Sequence, residues 1–243
     1  MSTQTHESTP ALPSLSSGLT LLECDEATTG ALQSLVVDHV LTAGTQSVCW
    51  IDSGGAARTT VLARLAPSPR VLDRIAVARG FTAYQHYRLV ERLVERVATG
   101  PAEPSLVVVP AVDGQYRGDD PQGLDARGML TRSLDRLAAL ASAHDLAVLL
   151  TRTAADGFSE PVADTADQTI RCAQTQFGPR FTGDDVETLV YPAADGTLQT
   201  TLAFWADVLA SRVSAAAGSP TGPGQTTPRT TTPLQEVSDS GAH

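Results

Sequence analysis

The chain has 243 residues and a formal net charge of −10, and its 17 basic residues are all arginine. Without lysine there can be no Schiff-base lysine, no lysine general base and no phosphate-binding lysine of the Walker type. The three cysteines, Cys24, Cys49 and Cys172, are odd in number and form no CxxC, which argues against a disulfide framework or a zinc site and for buried small hydrophobes.

Arginine without lysine, beside an excess of carboxylates, points to a surface adapted to high salt, although a GC-rich genome would also favour arginine over lysine. At ordinary ionic strength the negative balance opposes non-specific binding to nucleic acid; in molar salt the Debye length is only ~3 Å and net charge says little. No apolar run approaches the ~20 residues that a membrane span requires. The N-terminus shows neither a basic region nor an apolar run of a secretory signal, so a cytoplasmic location is expected.

Residues 1–16 are rich in Ser, Thr and Pro and are expected to form a disordered tail, removable without loss of thermal stability. The folded core is expected over 17–213, followed by a low-complexity tail over 214–243. Within the core, GLTLLEC (18–24) reads as a strand, and 27–44 as a helix with Leu32, Leu35, Val36, His39 and Val40 on one face. SVCWID (47–52) is a strand that runs into Asp52-Ser53-Gly54-Gly55, a strand-to-turn corner. A short helix (58–66), a strand (74–79) and an amphipathic helix (84–98) follow. SLVVVP (105–110) and LAVLLT (146–151) are apolar throughout, as strands buried on both faces are, and a helix over 124–144 lies between them. After residue 151, DQTIRCAQ, DVETLVYP and LQTTLAFW read as short β runs.

This alternation predicts an α/β fold with a mainly parallel sheet covered by helices and an antiparallel C-terminal extension. Ligands of such sheets gather at the carboxyl ends of strands, here near residues 23–30, 52–55, 110–116 and 151–153. His39 and His86 fall in helical patterns and read as surface or packing residues. The acidic pairs Asp119-Asp120 and Asp184-Asp185 could bind metal, but read better as solvated charge, and no metal site is expected.

Three segments, VCWIDSGGAAR, VLDRIAVARGFTAYQHYRLVERL and LVVVPAVDGQYRGDD…LDARGMLTRSLDRLAALASAHDLAVLLTRT, resemble the RecA/RadA recombinase superfamily in order and spacing. The likeness covers roughly residues 18–205 and implies a RecA-like core. It also implies where a nucleotide site would lie, and the expected groups are missing there. The Gly-rich phosphate loop corresponds to Glu23–Ala31, which carries Asp25 and has Gly30 at the phosphate lysine's place. Beside Asp52, Gly54 stands for the water-activating Glu. Pro110 stands for the Walker B Asp, and Thr151-Arg152-Thr153 replaces the polar sensor. With all four elements altered, the chain lacks the means to neutralise a triphosphate, hold metal or activate water.

Of the family's DNA-contacting loops, Tyr116-Arg117 and Arg127 match the ends of the first, whose centre is short and acidic; Arg117, Arg127 and Arg152 are the candidate DNA contacts. No Phe precedes Phe81, so the Phe-x-x-Ala segment that joins neighbouring recombinase subunits is missing from this sequence. The resemblance thus implies a catalytically inactive RecA/RadA-like protein without cofactor. It would be an accessory or regulatory factor in DNA recombination and repair that acts by protein–protein contact. Its expected partner is a RecA/RadA-type recombinase or another repair protein; single-stranded DNA is a less favoured partner, and a membrane is not expected. Two alternatives stay open: an ATP-dependent DNA-binding recombinase paralogue with a rearranged nucleotide site, and a scaffold protein unrelated to DNA.

Overall fold

The apolar runs become the centre of one sheet. In the computed structural model, which describes residues 12–25, 30–44, 46–100, 102–118, 125–175, 178–183 and 201–217, the strands are β1 (Gly18–Cys24), β2 (Ser47–Asp52), β3 (Ile75–Arg79), β4 (Pro104–Val109), β5 (Ala147–Leu150), β6 (Gln168–Thr175) and β7 (Gly178–Thr182). They form a seven-stranded sheet in the order β3-β2-β4-β5-β1-β6-β7. Every pairing from β3 to β6 is parallel, and only β6 and β7 pair antiparallel. This is the expected α/β class, with a mostly parallel sheet and an antiparallel C-terminal pair, consistent with a RecA-like core.

Parallel neighbours need crossover connections, and helices supply them on both faces. The helices are α1 (Ala31–Thr42), α2 (Thr59–Leu65), α3 (Pro69–Leu72), α4 (Ala83–Ala98), α5 (Ala126–His144), α6 (Glu160–Thr165) and α7 (Thr201–Ala217). Successive strand residues point to opposite faces, so each strand feeds two cores. Leu106 and Val108 of β4 join α1, α2 and α7 in one cluster; Val107 and Val109 join α4 and α5 in the other.

Several expectations from the sequence are corrected. The described part of the run LQTTLAFW, from Thr201 onward, is the start of helix α7 and not a strand. A short apolar run cannot be told from a helix by alternation alone, and the spacing of buried Trp205, Val208 and Leu209 is helical. This helix reaches Ala217, past the expected core boundary at Val213. Leu12, within the expected N-terminal tail, is 6% exposed and packs in the first cluster. A single leucine among Ser, Thr and Pro carries no periodicity to announce it. Helix α1 buries Ala31, Ser34, Val37 and Asp38 besides the expected apolar face, because α7 packs against it as well as the sheet. The elements α3, α6 and β7 were not read from the sequence. DVETLVYP and the acidic pairs Asp119-Asp120 and Asp184-Asp185 lie outside the described residues.

Candidate functional site at the carboxyl ends of the strands

Asp52 closes the corner after β2. It is 1% exposed. Its Oδ1 accepts from the backbone N–H of Ala56 at 2.9 Å and Ala57 at 3.2 Å, and its Oδ2 from Arg79 Nε at 3.2 Å. The carboxylate thus satisfies the turn that leads into α2, and Arg79 ties it to the neighbouring strand β3. Its lone pairs face this turn, which makes Asp52 a brace. Ser53 extends the brace: its Oγ donates to the carbonyls of Pro110 at 2.8 Å and Ala111 at 2.9 Å. Gly54 lies in ordinary contact with Ala111, where an added Cβ would be 3.7 Å from the Ala111 Cβ, so space does not demand glycine there.

The turn after β4 is strained and held from three sides. Ala111 has φ +45°, a left-handed conformation that a residue with a Cβ adopts at a cost of order 1–2 kcal/mol. Its N–H donates to Thr151 Oγ1 at 2.8 Å, and its carbonyl receives Ser53. Thr151 is therefore engaged within the fold, and Pro110 presents no side-chain oxygen. Asp113, fully buried, accepts from the Thr153 N–H at 2.7 Å and from Arg117 Nε at 2.5 Å.

Between β1, β6 and the segment after β5 lies a cleft of about 640 Å³; Glu23, Cys24, Asp25, Gly30, Thr151, Arg152 and Arg171 are among its lining. Asp25, Gly30, Thr151 and Arg152 line this cleft; Asp52, Gly54 and Pro110 do not, and belong to the neighbouring turns after β2 and β4, which Ala111 ties to Thr151. Glu23 takes both arginines, accepting from Arg152 Nη2 through one oxygen and from Arg171 Nε at 3.2 Å through the other. Its partial burial raises the carboxyl pKa, but the two guanidiniums together outweigh burial and hold it below the usual value.

Gly30 begins α1 with φ +86°. A Cβ there would come 2.6 Å from Leu202 Cδ2 and 3.6 Å from Trp205 Cδ1, so α7 covers the direction that a side chain at this position would take. A side chain at position 30 would have to displace the Leu202 side chain of α7, and both cleft arginines already face Glu23.

The candidate DNA contacts are also engaged internally. Arg117 pairs with Asp113 and Asp156, Arg127 Nη2 donates to the Gly157 carbonyl at 3.0 Å, and Arg152 pairs with Glu23. Sequence reasoning missed Asp113 and Asp156. The first was within reach of it, since Asp113 and Arg117 are four residues apart on a turn; the second is 39 residues from Arg117 and only the fold brings it close.

A third feature unread in the sequence is a buried polar chain. His86 Nδ1 lies 2.8 Å from Tyr116 Oη, which lies 3.1 Å from Ser133 Oγ, which donates to the Met129 carbonyl at 2.9 Å. Since the Ser133 proton is used, Tyr116 donates to Ser133 and accepts from His86. His86 is thereby the Nδ1–H tautomer, with its Nε2 buried and without a partner among the described residues. Burial pushes the His86 pKa down to about 4 and that of Tyr116 up to about 12.

Compared with known proteins, the chain matches the family model described as Rad51 over residues 31–170, more than half of its length. No curated protein matches it. Among the described residues, no helix is long and apolar enough to cross a membrane.

Proposed function

We propose, from the premise that this chain belongs to the Rad51 family, that it is a nucleotide-independent member of that family. It would serve as an accessory or regulatory factor in DNA recombination and repair by docking on an active recombinase. The observation that carries the reading is the contact of α7 with Gly30: Leu202 lies where the phosphate-binding side chain would project. Two further facts support it. The family match begins at Ala31, so β1 and the turn that would cradle phosphate lie outside it. Gly54 and Pro110 lack the carboxylates that the chemistry of phosphoryl transfer uses to orient water and hold metal.

Docking by protein contact is favoured by the edge of the sheet. Strand β3 ends the strand order, and Val77 on β3, Phe81 in the turn that follows and Tyr84 at the start of α4 are exposed at 43%, 75% and 56%. Large apolar side chains gathered at an open strand edge form a surface that a partner's extended segment can cover. Direct DNA binding is disfavoured by the internal pairing of Arg117, Arg127 and Arg152. The lysine-free acidic composition fits a protein that works at high salt.

The cleft at Arg152 and Arg171 supports a second reading, a rearranged nucleotide site. Equilibrium dialysis with Mg-ATP in molar KCl separates the two. The proposed reading expects no bound nucleotide, together with co-purification of a recombinase when the tagged protein is captured from its host. Stoichiometric ATP binding that is lost in Arg152→Ala would establish the second reading. Capture without any recombinase would leave the protein as a scaffold unrelated to DNA.

A further inference from the structure

The loops after β4 and β5 are joined by one ion pair. All three guanidinium nitrogens of Arg117 are engaged. Nε donates to Asp113, Nη1 to Asp156 Oδ2 at 2.8 Å, and Nη2 to Asp156 Oδ1 at 2.9 Å and to the Ala154 carbonyl at 3.4 Å. Asp156 Oδ1 also accepts the backbone N–H groups of Phe158 and Ser159, each at 3.1 Å. A fork of two parallel guanidinium N–H groups, completed by main-chain amides, is also how proteins hold the edge of a phosphate. Here a carboxylate of the chain itself takes that place.

The surroundings suit the same ligand. Arg117 and Arg127 both lie over the Phe158 ring, at 5.1 and 5.9 Å from its centroid. The Asp156 side chain is 45% exposed, so the contact sits at the surface within reach of a polyanion. Asp113, buried beneath, holds Arg117 through Nε and leaves Nη1 and Nη2 to face Asp156. Hydrogen bonds from Arg117, then those from Ser159, hold the Asp156 carboxyl well below the usual carboxylate range, so it stays ionised through the neutral range.

We propose that Asp156 is an internal stand-in for phosphate, a latch that fills an anion site built from Arg117 and Arg127 and keeps the loop surface closed to the phosphodiester backbone of a nucleic-acid strand. The proposal rests on the reading of the chain as a repair factor that meets protein in preference to DNA. The latch is tested by a gain of DNA binding in a variant and that reading by capture of a recombinase, so either can fail alone.

The test uses the full chain and a fluorescein-labelled oligothymidylate, followed by anisotropy at 0.1 to 1 M KCl, with inorganic phosphate as competitor. Asp156→Asn removes the charge; Asp156→Ser also removes it but keeps an oxygen for the two amides. The expected result is at least a tenfold tightening over the wild type in either variant, weakening with salt and abolished by a second change, Arg117→Ala. Competition by millimolar phosphate assigns the site to phosphate groups in general, and resistance to it assigns the site to the strand; both outcomes support the latch. No tightening in variants that retain a cooperative melt overturns it. So does tightening that survives Arg117→Ala, since the gain would then come from net charge alone. Loss of the fold in both variants also overturns it, because a carboxylate that cannot leave is not a latch.

Discussion

Leu202 Cδ2 lies 2.6 Å from the place that a Cβ on Gly30 would occupy. The residue that begins α1 and the residue that begins the α7 overlay come from opposite ends of the fold, and each explains the other: glycine at 30 is what lets α7 settle on α1. Gly30→Ala should therefore destabilise the protein by about 1–2 kcal/mol, mainly from the positive φ, with a smaller share from moving the Leu202 side chain. Leu202→Ala in the same background should recover part of that loss. Urea unfolding of the two single variants and the double variant measures the coupling; additive effects would mean that the contact carries no energy.

Asp52 should behave as a brace. Asp52→Ala leaves the N–H groups of Ala56 and Ala57 without their acceptor and Arg79 without its carboxylate. The expected cost is about 2–3 kcal/mol, mostly from the two orphaned amides, because the Arg79 side chain is half exposed and its pairing is screened. Asp52→Asn keeps one acceptor oxygen and should cost about half as much. Equal losses in the two variants would place the weight on the charge.

Stability should fall as the solution is acidified below pH 6.5. Above that pH, His86 is neutral in folded and unfolded chains and contributes no slope. Below it the unfolded chain takes up a proton, while the folded chain, with the His86 pKa near 4, does not, so protons favour unfolding. Across that window the loss approaches about 3 kcal/mol. His39, lowered by burial, adds to the same limb, so the measure is the difference from His86→Asn, which keeps a donor near the Nδ1 position and cannot titrate. Denaturation at pH 7.5 and pH 5 should show the variant losing less than the wild type; equal losses would exclude His86 as the source.

Leu12 should be worth more than its surroundings suggest. Leu12→Ala is expected to cost about 2 kcal/mol, the low end for a buried leucine. Deleting residues 1–16 should lower the melting temperature by several degrees. A truncated protein that melts with the full chain would remove Leu12 from the core.

The sequence by itself determined the alternation of strands and helices, and with it a parallel sheet. Runs such as LVVV at 106–109 have no polar face to show to water and must lie between two layers. It determined equally that no lysine can serve as a phosphate ligand, since the chain contains none. The caps that fix the starts of two of these helices came only with the structure: Thr82 accepts from the Gln85 N–H at 3.2 Å and Asp125 from the Gly128 N–H at 2.8 Å. Tertiary structure alone decided the rest. That α7 is a helix laid over Gly30, that Asp156 meets Arg117, and that His86 is buried against Tyr116 and Ser133 are contacts between residues 30 or more positions apart or between separate elements. Such contacts follow from how the layers stack, and a periodicity that reports only whether a side chain faces in or out does not contain them.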